Sequence, residues 1–328
     1  MIGRMAAMFR NLLSVISLVC GITVAEAQGW PDRPIHLYVA QGPGGGQDTI
    51  ARYISEKVSL VLGQAIVIEN RPGAGAIIGT QAAARATPDG YNFAVTSSAA
   101  MASNPHLVKN LPYDPRKDFI PVALLSKPGF LISIRSGSDI RTLGDLVAQE
   151  KKSPGSLSAV IDGPRNLSGL VAAYLNEVSG SRIQLVPYTS PSQGLQDAIS
   201  GNVDLFLAPP GVHMPHIEGG KLRPLAVSGN QREPALPDVP AVGEMYSGFS
   251  ILGWLMISAP VGTPAEAIEK MNFAIDKVLK DPVVLAWMQN FGSPSNKEAG
   301  KLSDLSSFVQ TEIESWGKIV KAIGLSPQ

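Results

Sequence analysis

Residues 35–48 read Ile-His-Leu-Tyr-Val-Ala-Gln-Gly-Pro-Gly-Gly-Gly-Gln-Asp, and residues 66–79 read Ile-Val-Ile-Glu-Asn-Arg-Pro-Gly-Ala-Gly-Ala-Ile-Ile-Gly. Each is a short apolar strand, a glycine-rich turn and a helix start. Ile35, Leu37 and Val39 alternate as a half-buried strand does, and beyond the first turn Ile50, Ile54, Val58 and Val61 keep helical spacing. Asp48 is the expected N-cap of that helix. An alanine-rich helix to Ala86 follows the second turn, then the turn Pro88-Asp89-Gly90 and a third strand from Tyr91 to Thr96. This β-α-β-α-β order implies a parallel sheet with right-handed crossovers. Both glycine turns then lie at the carboxyl ends of strands, where ligands bind in open α/β sheets. Two helix N-termini fed by glycine turns offer backbone N–H groups that hold an anion without a charged side chain.

A second unit of the same type starts in the middle of the chain. Strands are expected at Gly129–Ile134, Leu157–Ile161, Ile183–Val186 and Val203–Leu207, with a helix opened by Thr142-Leu143-Gly144-Asp145. Leu170, Val171, Tyr174, Leu175 and Val178 form the face of another helix. The last third reads as mostly helical. Thr263-Pro264-Ala265-Glu266 has the pattern of a capped start, and helices follow to Lys280, over 282–290 and over 303–322. Two such units facing each other would enclose a cleft.

The chain start points to export. Arg4 and Arg10 precede an apolar stretch from Leu12 to Val24, and Ala25-Glu26-Ala27 is a small-x-small cleavage site, so residues 1–27 read as a signal peptide cleaved after Ala27. A membrane anchor or a lipidated Cys20 are the alternatives; the stretch is short and diluted by Ser14, Ser17 and Thr23, and Val19 is bulky for a lipidation signal. Cys20 is the only cysteine, so a chain beginning at Gln28 has no thiol, no disulfide and no thiolate metal site. Formal net charge is zero and only 16% of residues are charged, which gives no basic footprint for nucleic acid.

Catalytic patterns are lacking. There is no Gly-x-Ser-x-Gly and no His-Glu-x-x-His. Gly73-x-Gly75-x-x-x-Gly79 is a weak match to a dinucleotide fingerprint, because Arg71-Pro72 intervenes and an exported protein meets little nicotinamide cofactor. Of the histidines, His213 and His216 are spaced to share a helix face, but no third ligand accompanies them; surface or capping roles are expected. No catalytic residue, cofactor or metal is expected. The loop Asp162-Gly163-Pro164-Arg165-Asn166-Leu167-Ser168 ends a strand and opens a helix; Ser168 or Asn166 can cap it, and Arg165 either faces the cleft or is a solvated loop arginine. Tyr188-Thr189-Ser190 offers hydroxyls at the same edge.

The chain resembles the tripartite tricarboxylate transporter receptors, the Bug family of periplasmic solute-binding proteins. The resemblance runs through Trp30-Pro31-Asp32-Arg33-Pro34-Ile35, Pro43-Gly44-Gly45, Asn70-Arg71-Pro72-Gly73-Ala74-Gly75, Pro88-Asp89-Gly90-Tyr91 and Leu111-Pro112-Tyr113-Asp114. It continues through Val186-Pro187-Tyr188, Gly201-Asn202-Val203-Asp204, Gly220-Lys221-Leu222-Arg223-Pro224-Leu225, Leu236-Pro237-Asp238-Val239-Pro240 and Ala259-Pro260-Val261-Gly262-Thr263-Pro264. It implies an α/β, two-lobed, type II-like periplasmic-binding-protein fold, each lobe a mostly parallel sheet flanked by helices. Residues 28–125 and 226–328 would form one lobe and 126–225 the other. It implies that a ligand carboxylate is held largely by backbone groups and ordered waters at Gly44, Gly45, Gly73, Gly75 and Ala76. Ser97, Ser98, Asn166, Ser168, Tyr188 and Thr189 would close the other side.

Three departures bear on the ligand. Gln41 stands where many members have an aromatic residue, Pro164-Arg165-Asn166 where many have a small hydroxyl residue, and Ala208-Pro209-Pro210 where many are polar. The first two make the pocket more polar; the third removes a partner for an ammonium group. The expected ligand is a dicarboxylate or hydroxy-acid, with Arg165 meeting its distal group. The expected partners are that small acid and, transiently, membrane transporter subunits, with the receptor itself a monomer and no nucleic acid involved. A periplasmic enzyme on the same scaffold and a ligand-sensing partner of a signalling receptor are the other readings.

Overall fold

The computed structural model describes residues 29–188, 190–295 and 299–328. The signal segment with its cleavage point, Cys20 and Thr189 lie outside the described residues. Ten strands form two five-stranded sheets. Strands β1 (Ile35–Val39), β2 (Ile66–Asn70), β3 (Asn92–Ser97), β4 (Phe119–Ser126) and β10 (Leu255–Pro260) make the first, in the order β2-β1-β3-β10-β4. Strands β5 (Leu131–Arg135), β6 (Ser158–Ile161), β7 (Gln184–Pro187), β8 (Leu205–Ala208) and β9 (Leu222–Val227) make the second, in the order β7-β6-β8-β5-β9.

The two orders are the same pattern. Each sheet has three neighbouring parallel strands, then one antiparallel strand, then an edge strand that runs with the first three. The reversed strand is the one that the chain enters after crossing from the other sheet: β5 after β4, and β10 after β9. The sheets are therefore mixed, with four strands sharing a direction in each. The edge strands β4 and β9 carry Pro121 and Pro224 where the ladder register shifts. A proline lacks the N–H that a central strand would need, and a bulge at an edge accommodates it.

The helices are α1 (Gly46–Leu62), α2 (Ile77–Ala84), α3 (Asn104–Leu107), α4 (Leu143–Lys152), α5 (Leu167–Ser179), α6 (Pro191–Ser200), α7 (Pro210–Glu218), α8 (Val242–Met245), α9 (Ala265–Leu279), α10 (Pro282–Asn290) and α11 (Leu302–Ala322). Ile35, Leu37 and Val39 pack with Ile50, Ile54 and Val58 of α1 and with Met271 and Ile275 of α9 in one buried cluster. Burying each such side chain is worth about 1.5–3 kcal/mol. Helix α11 takes the other side. Its Val309, Ile313 and Trp316 share a cluster with Met101 of the first unit and with Leu170 and Val171 of α5 in the second.

Two helix starts differ from their sequence reading. Helix α1 begins at Gly46 with Gly45 as N-cap, so Asp48 sits one turn inside and reaches back to the Gly44 N–H at 2.8 Å. Helix α9 begins at Ala265; the Thr263 hydroxyl donates to the Pro260 carbonyl instead of capping it. Thr142 and Asp145 form the reciprocal capping box of α4, with both bonds at 3.0 Å.

The two crossovers are tied to each other. Ser228 N–H donates to the Phe130 carbonyl, Phe130 N–H to the Ser228 hydroxyl, and Gly253 N–H to the Pro128 carbonyl. The Glu233 carboxyl accepts from the Gly129 N–H at 2.7 Å, and burial raises its pKa.

Candidate functional site

Three loops of the first sheet lie together at the carboxyl ends of β1, β2 and β3. Asn70 ties the first two: its side-chain amide donates to the Gln41 carbonyl at 2.9 Å and to Asp48 at 2.8 Å, and its oxygen accepts from Arg52 at 2.9 Å. Asp48 is almost fully buried. Burial opposes its charge, but hydrogen bonds from Arg52, Asn70 and the Gly44 N–H outweigh that and hold its pKa at about 2. The first turn is thus braced from within. The Gly44 N–H serves Asp48, the Gly45 N–H serves the Gly42 carbonyl, and the Gln47 N–H donates to Gln41 Oε1 at 2.7 Å. The Gln41 side chain lies so close over Gly45 that a Cβ there would collide with it. Several donors expected to be open for an anion are occupied by the protein.

The second turn is of another kind. Gly73, Ala74, Gly75 and Ala76 all have positive φ, at 129°, 47°, 61° and 72°. That is a left-handed turn containing two alanines, each strained by about 1–2 kcal/mol. Gly73, Ala74 and Gly75 are exposed. Strain of this kind persists where surroundings impose it, and it concentrates at functional sites. One brace is Asn104, whose amide donates to the Gly75 carbonyl at 3.1 Å. Asn104 opens α3, directly after a π-wound turn at Ala99–Ser103. Single π turns recur at functional sites. Ser97 and Ser98 are both buried beside it; the Ser97 hydroxyl accepts from Ala100 N–H, and Ser98 N–H donates to the Trp254 carbonyl.

The second sheet contributes the carboxyl ends of β6, β7 and β8. Asn166 is the N-cap residue of α5, but its amide donates to the Asp162 carbonyl at 3.0 Å. The buried Ser168 hydroxyl accepts from the Asp162 N–H and makes a short hydrogen bond to the Asp162 carboxylate. The Tyr188 hydroxyl donates to Asp197 at 2.8 Å. Ala208 is buried, and its carbonyl accepts from His213 Nε2 at 3.1 Å. His213, expected in a surface or capping role, is fully buried, which corrects the surface alternative. Because a carbonyl only accepts, Nε2 carries the proton and Nδ1 accepts from Ser133 at 2.8 Å. Burial drives the His213 pKa down to about 3.

Arg165 has two partners across the gap between the sheets. Its guanidinium donates to the Leu107 carbonyl at 3.0 Å and to the Ser326 carbonyl at 2.9 Å. The supporting residues Asn70 and Asn104 escape sequence reasoning. The signal for Asn70 was its place at the end of the second strand; Asn104 had none. Among the described residues no group of three or more His, Cys, Asp or Glu is placed to hold a metal ion, and no helix is long and apolar enough to cross a membrane.

Two mixed sheets of the same strand order, joined by paired crossovers, are the architecture of two-lobed solute-binding proteins. The model of the tripartite tricarboxylate transporter family receptor matches residues 50–325, and the chain belongs to that family of periplasmic solute-binding receptors. A relative from Bordetella bronchiseptica, described as a UPF0065 protein, is 33% identical over 316 residues, covering 96% of this chain and 93% of that protein. Among solved structures, Rpa4515 of R. palustris with adipate has a TM-score of 0.79 at 28% identity, covering 91% of this chain and 100% of that one. The periplasmic binding protein BugD has a TM-score of 0.77 at 29% identity, with 91% and 100% covered. MatC from Rhodopseudomonas palustris with bound malate has a TM-score of 0.74 at 28% identity, with 89% and 100% covered.

Proposed function

We propose that this chain is exported, loses residues 1–27 by cleavage after Ala27, and captures a small organic acid in the periplasm for a membrane transporter. The lobes are residues 28–125 with 226–328, and residues 126–225. The ligand is a dicarboxylate or hydroxy-acid, bound between the lobes as a monomeric receptor binds it, without chemical change. The observation that carries the reading is the left-handed turn Gly73–Ala76, an exposed and strained backbone at the carboxyl end of β2. A turn held in that form at a cost has its N–H groups fixed before a ligand arrives, which lowers the entropy lost on binding. The adipate of one structural neighbour and the malate of another support an acid with two carboxylates.

A thermal-shift screen of dicarboxylates and hydroxy-acids tests it. A ligand at 100 times its Kd adds about 2.7 kcal/mol to stability, a readily measured rise in Tm. The reading fails if no acid in the panel raises Tm, or if mass spectrometry finds the added acid converted to a product.

A further inference from the structure

We infer that Arg165 is a positioning residue that latches the two lobes, and that it does so through the backbone of the first lobe instead of through a bound acid. Arg165 lies in the loop between β6 and α5 of the second sheet. Its two acceptors belong to the other side: Leu107 ends α3, and Ser326 lies beyond α11. That segment is itself fastened to α3. Gln328 N–H donates to the Leu107 carbonyl at 3.1 Å, and Lys109 N–H donates to the Gln328 carbonyl at 2.9 Å. Helix α3 is held in turn on α11, where His106 Nε2 donates to the Ile313 carbonyl at 2.7 Å.

The Leu107 carbonyl is one of the orphan acceptors of a helix end, and a cation there is favoured by the helix dipole as well as by the hydrogen bond. The same helix begins with Asn104, which braces Gly75 of the left-handed turn. One turn of helix therefore joins the latch to the turn proposed to hold the ligand. Closure brings Arg165 onto the end of α3, and α3 supports the turn from its start. Only the ligand arm of the test below rests on the proposed function.

Nitroxide labels at Leu60→Cys on α1 and Lys152→Cys on α4, exposed positions over different sheets, report the separation of the lobes by pulsed dipolar spectroscopy. The distance distribution without added acid is expected to move to longer values in Arg165→Ala and in a chain ending at Leu325, which lacks the Ser326 acceptor. Arg165→Lys, which keeps the charge but not the fork, is expected to lie between. In titrations with malate and with butyrate, Arg165→Ala weakens both by the same factor, about ten- to a hundredfold, the scale of a lost charge-assisted hydrogen bond. An unchanged distance distribution in Arg165→Ala overturns the latch, and so does a loss confined to malate, which would make Arg165 a ligand contact. If neither acid binds the unsubstituted protein, the proposed ligand class falls and the distance measurement still decides the latch.

Discussion

Gly211 and Gly292 meet backbone to backbone across the gap between the sheets. A Cβ on Gly211 would collide with the Phe291 carbonyl, and a Cβ on Gly292 would collide with the Gly211 backbone. Gly211 is in the first turn of α7, over the second sheet. Gly292 follows α10, whose Val284 and Met288 belong to the core of the first. Aromatic stacking stiffens the approach: Trp287 lies parallel to Tyr53 at 3.8 Å and to Phe291 at 5.1 Å between ring centroids. This contact and that of Arg165 are added to the buried packing of α11 on α5.

Gly211→Ala should therefore hold the lobes apart. Gly211 is not among the glycines with positive φ, and the three atoms nearest its Cβ position all belong to Phe291 and Gly292. The variant should fold with an unchanged thermal transition and bind acid at least about tenfold more weakly, the effect of roughly 1.4 kcal/mol against closure. Binding equal to that of the unsubstituted protein would remove this contact from the closed form.

Ala74→Gly and Ala76→Gly should stabilise the fold. Relief of left-handed strain is worth about 1–2 kcal/mol, and the extra freedom of glycine in the unfolded chain takes back about 0.5–1 kcal/mol. Each variant should gain roughly 0.5–1 kcal/mol in urea unfolding. A loss in both would mean that the turn is not strained and that its form says nothing about function.

His213 sets a pH dependence. Its pKa is about 3 in the fold and near the ordinary 6.5 when unfolded, so the unfolded chain takes up a proton that the native one refuses. The stabilising difference is intact above about pH 6.5 and declines as pH falls toward 3. Between pH 7 and pH 5 this group should cost about 2 kcal/mol of stability. His213→Gln should lack that part of the decline, as urea titrations at the two pH values would reveal; identical pH dependence in both proteins would contradict it.

The sequence disclosed the parts of this fold that leave a local period. Strand β1 alternates because only one of its faces is covered by α1 and α9. Strands β4, β9 and β10 escaped notice because they are covered on both faces over most of their length, so apolar residues run without alternation, and because Pro121, Pro224 and Pro260 argue against strands. The two glycine turns were legible at the carboxyl ends of β1 and β2. What became of their donors was not. Gln41 over Gly45 and Asn104 on Gly75 are hydrogen-bonding choices between loops, and no spacing records them. The burial of His213 was not legible because its partners, Ser133 and Ala208, come from separate strands of the second sheet. The partners of Arg165 were not legible because they are main-chain carbonyls, which any residue supplies.

The proposed site for a small acid is the left-handed turn after β2. Calorimetric titration of the best acid from the thermal-shift screen into the unsubstituted protein and into Gly75→Val tests it most directly. Gly75 has φ of 61° and open space where a Cβ would be, so the valine Cβ meets no neighbour, but a branched side chain resists the left-handed form and covers the turn. Saturable one-to-one binding to the unsubstituted protein is expected, with a loss of at least about a hundredfold, roughly 2.8 kcal/mol, in a variant that still folds. Equal affinity in the two proteins would contradict it.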